Sequence, residues 1–183
     1  METAVVIIDM QCGYFENGDL TGRRDELVAA NNALLRLARE RDLPVYVVVT
    51  EHAHNGTTWT LSMLDDGQGY MFAGSEQAAL VPGLEVGEAH TVTKIRDSAF
   101  HGTDLAQRLR LHGISRLVLA GVSGQNCVAR TGADAFALDF RVAYAREAIG
   151  STDPRRGREA LDLLGEEQRQ PQLGLEELRR WIR

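Results

Sequence analysis

Three stretches of this sequence are apolar almost throughout and stop abruptly. Ala4-Val5-Val6-Ile7-Ile8 ends at Asp9, Val45-Tyr46-Val47-Val48-Val49 follows Pro44, and Arg116-Leu117-Val118-Leu119-Ala120 ends at Gly121-Val122. A strand with one wet face alternates apolar and polar residues. A run without alternation is covered on both faces, as in a parallel sheet. His90-Thr91-Val92-Thr93 and Phe140-Arg141-Val142-Ala143-Tyr144 are weaker strand candidates. Between the runs lie segments of helical period. Arg24 to Arg41 places Leu27, Val28, Leu34, Leu35 and Ala38 on one face, with charges opposite. Thr103 to His112 has Thr103 as N-cap and Gly113 as its stop. Asn126 to Leu138 is alanine-rich, Asp153 to Gly165 carries Pro154 at its first position, and Leu175 to Ile182 closes the chain. Strands alternating with helices predict a doubly wound α/β fold: a mostly parallel sheet of roughly six strands, helices on both faces and right-handed crossovers.

No repeat, low-complexity tract or linker divides the chain, so residues 1–183 are read as one domain. A chain of this length buries about 70% of the surface that it exposes when unfolded. Residues 52–89 are irregular and contain Trp59, Met63, Tyr70, Met71 and Phe72. A loop that long is more often functional than merely connecting. The net charge of -6 argues against nucleic acid or an anionic membrane as partner. No apolar run approaches the ~20 residues of a membrane span. Cys12 and Cys127 are too few for a disulfide framework, and the expected compartment is the reducing cytoplasm.

Positive charge is carried almost entirely by arginine, and Lys94 is the single lysine among the 20 basic residues. An ammonium is a compact donor that a planar guanidinium fork does not replace. In an open parallel sheet, ligands sit outside the carboxyl ends of the strands. Asp9 ends the first strand, Lys94 the third, and Cys127 follows the fourth at a helix start. A carboxylate, an ammonium and a thiol are thus brought to one edge. Taken singly, Asp9 could cap a turn and Cys127 could be a small buried hydrophobe. The helix start and Lys94 together predict a thiol of lowered pKa that alkylates readily even at about pH 6.

At these positions the chain resembles the isochorismatase-like cysteine hydrolases. Val5-Val6-Ile7-Ile8-Asp9-Met10-Gln11 resembles their opening motif. Thr93-Lys94-Ile95-Arg96-Asp97-Ser98-Ala99-Phe100-His101-Gly102-Thr103 resembles their lysine segment. Gly121-Val122-Ser123-Gly124-Gln125-Asn126-Cys127-Val128-Ala129-Arg130-Thr131, followed by Asp134-Ala135, resembles their nucleophile segment. The resemblance runs from about residue 3 to 150 and implies a catalytic triad of Asp9, Lys94 and Cys127. It further implies a non-proline cis peptide between Val122 and Ser123, and an oxyanion hole built from the backbone N–H groups of Ser123 and Cys127. The implied reaction is hydrolysis of a small non-peptide amide through a thioester, with no cofactor, in a homodimer or homotetramer.

Other residues carry looser expectations. Gln11, Phe15, Trp59, Tyr70 and Gln125 are candidate substrate contacts, and Tyr14 and Phe72 are further candidates for the pocket wall. The aromatic residues would equally serve to pack the loop or a subunit contact. Cys12 is read as a lining thiol or an oxidation partner of Cys127, and His101 as structural. Nicotinamidases of the resembled family carry an Asp-x-His metal motif, onto which His52 and His54 fall. Two imidazoles without a carboxylate are a poor metal site, so no metal is expected. Vinyl ether hydrolysis of the isochorismatase type and a non-catalytic binding protein are the alternatives. The first needs no thiol, and the second has no use for the full trio.

Overall fold

The computed structural model describes residues 2–16 and 18–182. Each apolar run forms a strand: β1 (Glu2–Ile8), β2 (Val45–Thr50), β3 (His90–Lys94), β4 (Ile114–Gly121) and β5 (Arg141–Ile149), with β6 (Gln172–Leu173) at the edge. All pairings are parallel, in the order β3-β2-β1-β4-β5-β6. The chain runs outward from β1 to β3, then returns to the other side of β1. The point of reversal lies between β1 and β4, where such sheets open a crevice.

Successive β1 side chains point to opposite faces, which is why its sequence shows no alternation. Val5 and Ile7 join a core with Leu27, Leu34 and Leu35 of α1 (Arg24–Glu40) and Leu178 of α6 (Leu175–Trp181). Ala4, Val6 and Ile8 join a second core with residues of three helices on the other face. These are Leu105 and Leu109 of α3 (Leu105–Leu111), Ala135 of α4 (Ala129–Ala137) and Leu161 of α5 (Pro154–Gln168). The remaining helix, α2 (Leu61–Asp66), lies inside the long loop and is capped by the Thr60 hydroxyl. No helix among the described residues is long and apolar enough to cross a membrane.

The structure differs from the sequence reading mainly at element ends. Thr103 does not cap α3 from the N-cap position, which Asp104 occupies; its hydroxyl accepts from Leu105 N at 3.3 Å and donates to Ala99 O at 2.6 Å. The helix expected from Asn126 starts two residues earlier as a π turn, Gly124–Val128, and becomes α4 at Ala129. Asp153 caps α5, accepting from the backbone of Arg155 and Arg156, and that helix runs through Gly165 to Gln168. Residues 52–89 are tied down by backbone hydrogen bonds from Cys12 N to Ala79 O, Gly13 N to Gln77 O and Val81 N to Met10 O.

Gly121 closes β4 at φ +106, paired with Ile8, and a Cβ there would stand 1.9 Å from Ile8 O. Gly121→Ala is therefore expected to lose about 3 kcal/mol or more, because backbone strain and a backbone clash coincide at the strand junction. Denaturant unfolding of the two proteins measures the loss.

Candidate active site

Asp9 lies one residue past β1, at φ 53, and its side chain is fully buried. Lys94 ends β3, two strands away. The strand between them, β2, ends in Thr50, which pairs in register with Lys94. This register brings all three side chains together. The Thr50 hydroxyl donates to Asp9 Oδ1 at 2.9 Å and accepts from Lys94 Nζ at 2.7 Å. Lys94 Nζ stands 2.8 Å from Asp9 Oδ2 and donates to Cys127 Sγ at 3.5 Å. Asp9, Lys94 and Cys127 are 0%, 2% and 5% exposed, so the cluster is essentially dry. The three residues read from the strand ends do converge, and Thr50 joins them.

Each oxygen of Asp9 has a distinct setting. Oδ1 is held by Thr50. Oδ2 faces the ammonium yet accepts no well-directed hydrogen bond among the described residues. It therefore has a lone pair to offer in a water-poor site. Burial pulls Lys94 toward neutrality, but the adjoining Asp9 carboxylate outweighs that pull and leaves its pKa raised. Lys94 remains an ammonium.

The thiol departs from the sequence expectation. Burial first, and the Asp9 carboxylate second, push the Cys127 pKa up, against the opposing pull of Lys94. These two effects outweigh the ammonium. Cys127 rests as a thiol beside a base.

The turn before Cys127 contains the cis peptide between Val122 and Ser123. Gly124 N donates to Gly150 O at 2.8 Å, and Gly150 N to Gly121 O at 3.0 Å. Ser123 Oγ donates to Gln125 Oε1, Gln125 Nε2 to Thr152 Oγ1, and Thr152 N to Ser123 Oγ, closing a ring. Gln125 therefore braces the turn on the loop after β5 through both ends of its amide.

The expected role of Gln11 is corrected. It is fully buried, with its amide nitrogen on Thr50 O and Ala78 O and its oxygen accepting from Thr50 N. It locks the end of β2 and leaves nothing for a ligand. Phe15 is 6% exposed and packs into the α1-side core, so it too belongs to the framework. Trp59 donates from Nε1 to Ala53 O and leans on Phe72, packing the loop. Tyr70 stays at an opening: it is 42% exposed and lines a cleft of about 650 Å³. Its phenol pKa is raised, chiefly by burial. Tyr14, a part-buried residue after β1, is raised by burial, then by Asp9, Cys127 and Tyr70.

Cys12 turns its thiol toward Leu80 O at 3.7 Å and packs against the α1-side core, whereas Cys127 belongs to the core across the sheet. Both thiols are free. His101 is exposed. His52 Nδ1 lies 3.0 Å from Thr58 O, and His54 stacks on Phe72 at 4.2 Å. Among the described residues, no three His, Cys, Asp or Glu side chains are grouped to hold a metal ion. This donor set does not fit the metal that an Asp-x-His motif implies.

A sequence profile for the Isochorismatase domain matches residues 3–169. A crystal structure of an isochorismatase family protein from Desulfovibrio vulgaris superposes with a TM-score of 0.86 at 28% identity, over 98% of this chain and 97% of that one. The chain belongs to the isochorismatase family of hydrolases. An Arabidopsis thaliana protein named as a probable inactive nicotinamidase is 34% identical over 161 residues, covering 83% of this chain and 82% of its own length. Maleamate amidohydrolase of Pseudomonas putida is 30% identical over 163 residues, covering 82% and 74%.

Two outcomes follow from the geometry. Thr50→Val strips Asp9 Oδ1 and Lys94 of a partner. It should cost about 1–3 kcal/mol in stability and roughly 100-fold in kcat through misplacement, while Thr50→Ser restores both. Unfolding curves and steady-state kinetics report each. In a Cys12→Ala background, Cys127 should alkylate with iodoacetamide more slowly than glutathione at pH 8, accelerating only above the ordinary thiol range. Rate–pH profiles by mass spectrometry give the answer.

Proposed function

We propose that this protein is a cysteine-dependent hydrolase of a small non-peptide amide, working through a thioester on Cys127 with Asp9 and Lys94. The observation that carries the reading is a buried Cys127 thiol in contact with the Lys94 ammonium, which also holds Asp9, whose Oδ2 is left open.

As the Cys127 sulfur attacks the substrate carbonyl, its proton passes to Asp9 Oδ2 and the C–S bond forms. The carbonyl oxygen becomes an oxyanion. The backbone N–H groups of Ser123 and Cys127 are the proposed donors to it. Two features support them: the Ser123 N–H donates to no acceptor among the described residues, and Cys127 lies in the first turn of its helix, where N–H groups lack intrahelical partners. Collapse breaks the C–N bond, and Asp9 returns its proton to the departing nitrogen. Asp9 then takes a proton from water, whose oxygen attacks the thioester. The acid leaves, and the proton returns to sulfur. Throughout, Lys94 balances the charge that moves between Asp9 and Cys127. The proposed setting is the cytoplasm, where both thiols stay reduced, in a homodimer or homotetramer.

The name of the Arabidopsis relative favours a second reading, a non-catalytic binder that kept the fold. Ammonia release from a panel of small amides separates the two. Cys127→Ala should reduce it by at least about 1,000-fold, and acid-quenched wild-type protein should carry an acyl mass on the Cys127 peptide. A folded wild-type protein that neither releases ammonia nor acylates would overturn the amide-hydrolase reading and leave the binder and vinyl ether hydrolysis.

A further inference from the structure

The amino ends of β4 and β5 hold a cavity that the proposed mechanism does not use. It measures about 480 Å³, within the ordinary range of small-molecule sites, and lies at the end of the sheet opposite Asp9, Lys94 and Cys127. Strand register sets its charge. Arg116 of β4 pairs with Arg141, the first residue of β5, and both line the cavity. Register partners on neighbouring strands project from the same face, so two guanidiniums stand side by side, and like charges so placed repel. A third arginine, Arg169, enters from the end of α5, where it caps the helix at φ 55. The side chains of Arg141 and Arg169 make no ion pair or hydrogen bond among the described residues. Asp139 is the one acid among the described lining residues.

The chain as a whole is acidic, with a net charge of -6. The cleft beside Tyr70 follows that trend: Glu16, Asp66 and Asp97 line it, with no lysine or arginine among its described lining residues. The two ends of the sheet therefore differ in sign, and an anion is steered toward the arginines. Guanidinium forks match the paired oxygens of a carboxylate or a phosphate. The rest of the wall is aromatic. Arg116 lies over the Trp181 ring, 4.0 Å from its centroid, which holds one guanidinium against the indole. Phe140 lines the cavity, and so does Phe136, which is 51% exposed. An exposed phenylalanine beside arginines without ion pairs suits a ligand with a flat apolar body and a charged end.

We propose that this cavity binds a small planar anion, an aromatic ring bearing a phosphate or a carboxylate. Arg141 and Arg169 hold the acid group, and Phe136 and Trp181 cover the ring. The site is separate from the trio and does not depend on the hydrolase reading.

The chain has two tryptophans, so emission from a Trp59→Phe protein reports Trp181 alone. Adenosine 5′-monophosphate and benzoate are the anionic ring probes. Adenosine and benzyl alcohol lack the charge, whereas ribose 5-phosphate and acetate lack the ring. At least one anionic ring probe should change Trp181 emission saturably and bind at least about tenfold tighter, by calorimetry, than both of its truncated counterparts. A response to the nucleotide alone makes the ligand a phosphate ester, and a response to benzoate alone makes it a carboxylate. Arg141→Ala and Arg169→Ala should each weaken that binding at least about tenfold. Alkylation of Cys127 by iodoacetamide should keep its rate when the probe is bound. Both arginines are exposed, so each variant should melt as the parent does. No saturable response to either ring probe, equal affinity for a truncated counterpart, or affinity unchanged in both arginine variants overturns the proposal. So does protection of Cys127, which would put the ligand in the other cleft. Should a variant fail to fold, the comparison of whole and truncated probes on the parent protein still decides.

Discussion

The contact between Asp9 and Lys94, closed by the Thr50 hydroxyl, is the interaction on which the rest of the site depends. Removing two charges from water costs several kcal/mol per ion, and the cost is offset only when geometry and hydrogen bonding are nearly complete. Here the completeness comes from strand register. Thr50 lies opposite Lys94 because β2 and β3 pair as they do, and Asp9 N donates to Val48 O because β1 and β2 do. A slip of one residue in either pairing would turn these side chains to the wrong face and leave bare charge in the core. Gln11, which bonds both the N–H and the C=O of Thr50, holds the end of β2 against such a slip.

The electrostatic consequence runs against a common intuition about reactive cysteines. A thiol near an ammonium at a helix start invites the expectation of a standing thiolate. Burial and an adjacent carboxylate reverse it. In the proposed reaction, ionisation is deferred to the moment when a bound carbonyl can accept the sulfur electrons, and the proton passes to Asp9. A resting thiol is also less prone to oxidation, since oxidants attack the thiolate.

Much of the architecture was legible in the letters because burial on both faces leaves a simple trace: continuous apolar runs. Asp9 and Lys94 were readable from their places where such runs stop, and Cys127 from the turn that follows one. Thr50 was harder to see, since a threonine at the end of Val45–Val49 looks like one more β-branched strand residue. Its signal was position, level with Lys94 once the strands are paired. Gln11 and Phe15 were read as ligand contacts for the opposite reason, and both are buried in the framework. Proximity in sequence to the site suggested ligand contacts, whereas the framework spends their polar groups and surface on holding the strand ends. β6, with two residues, is too short to show a period. The sign of the thiol shift needed burial, which no local pattern carries.

The ring of Ser123, Gln125 and Thr152 ties the nucleophile turn to the segment after β5. All three reactive side chains lie within the first 127 residues, yet the brace arrives only with Gly150 and Thr152. A nascent chain emerging from the ribosome therefore holds every reagent well before it holds the arrangement that makes them an apparatus. In the proposed enzyme, competence comes late in translation, once the segment carrying Gly150 and Thr152 has docked.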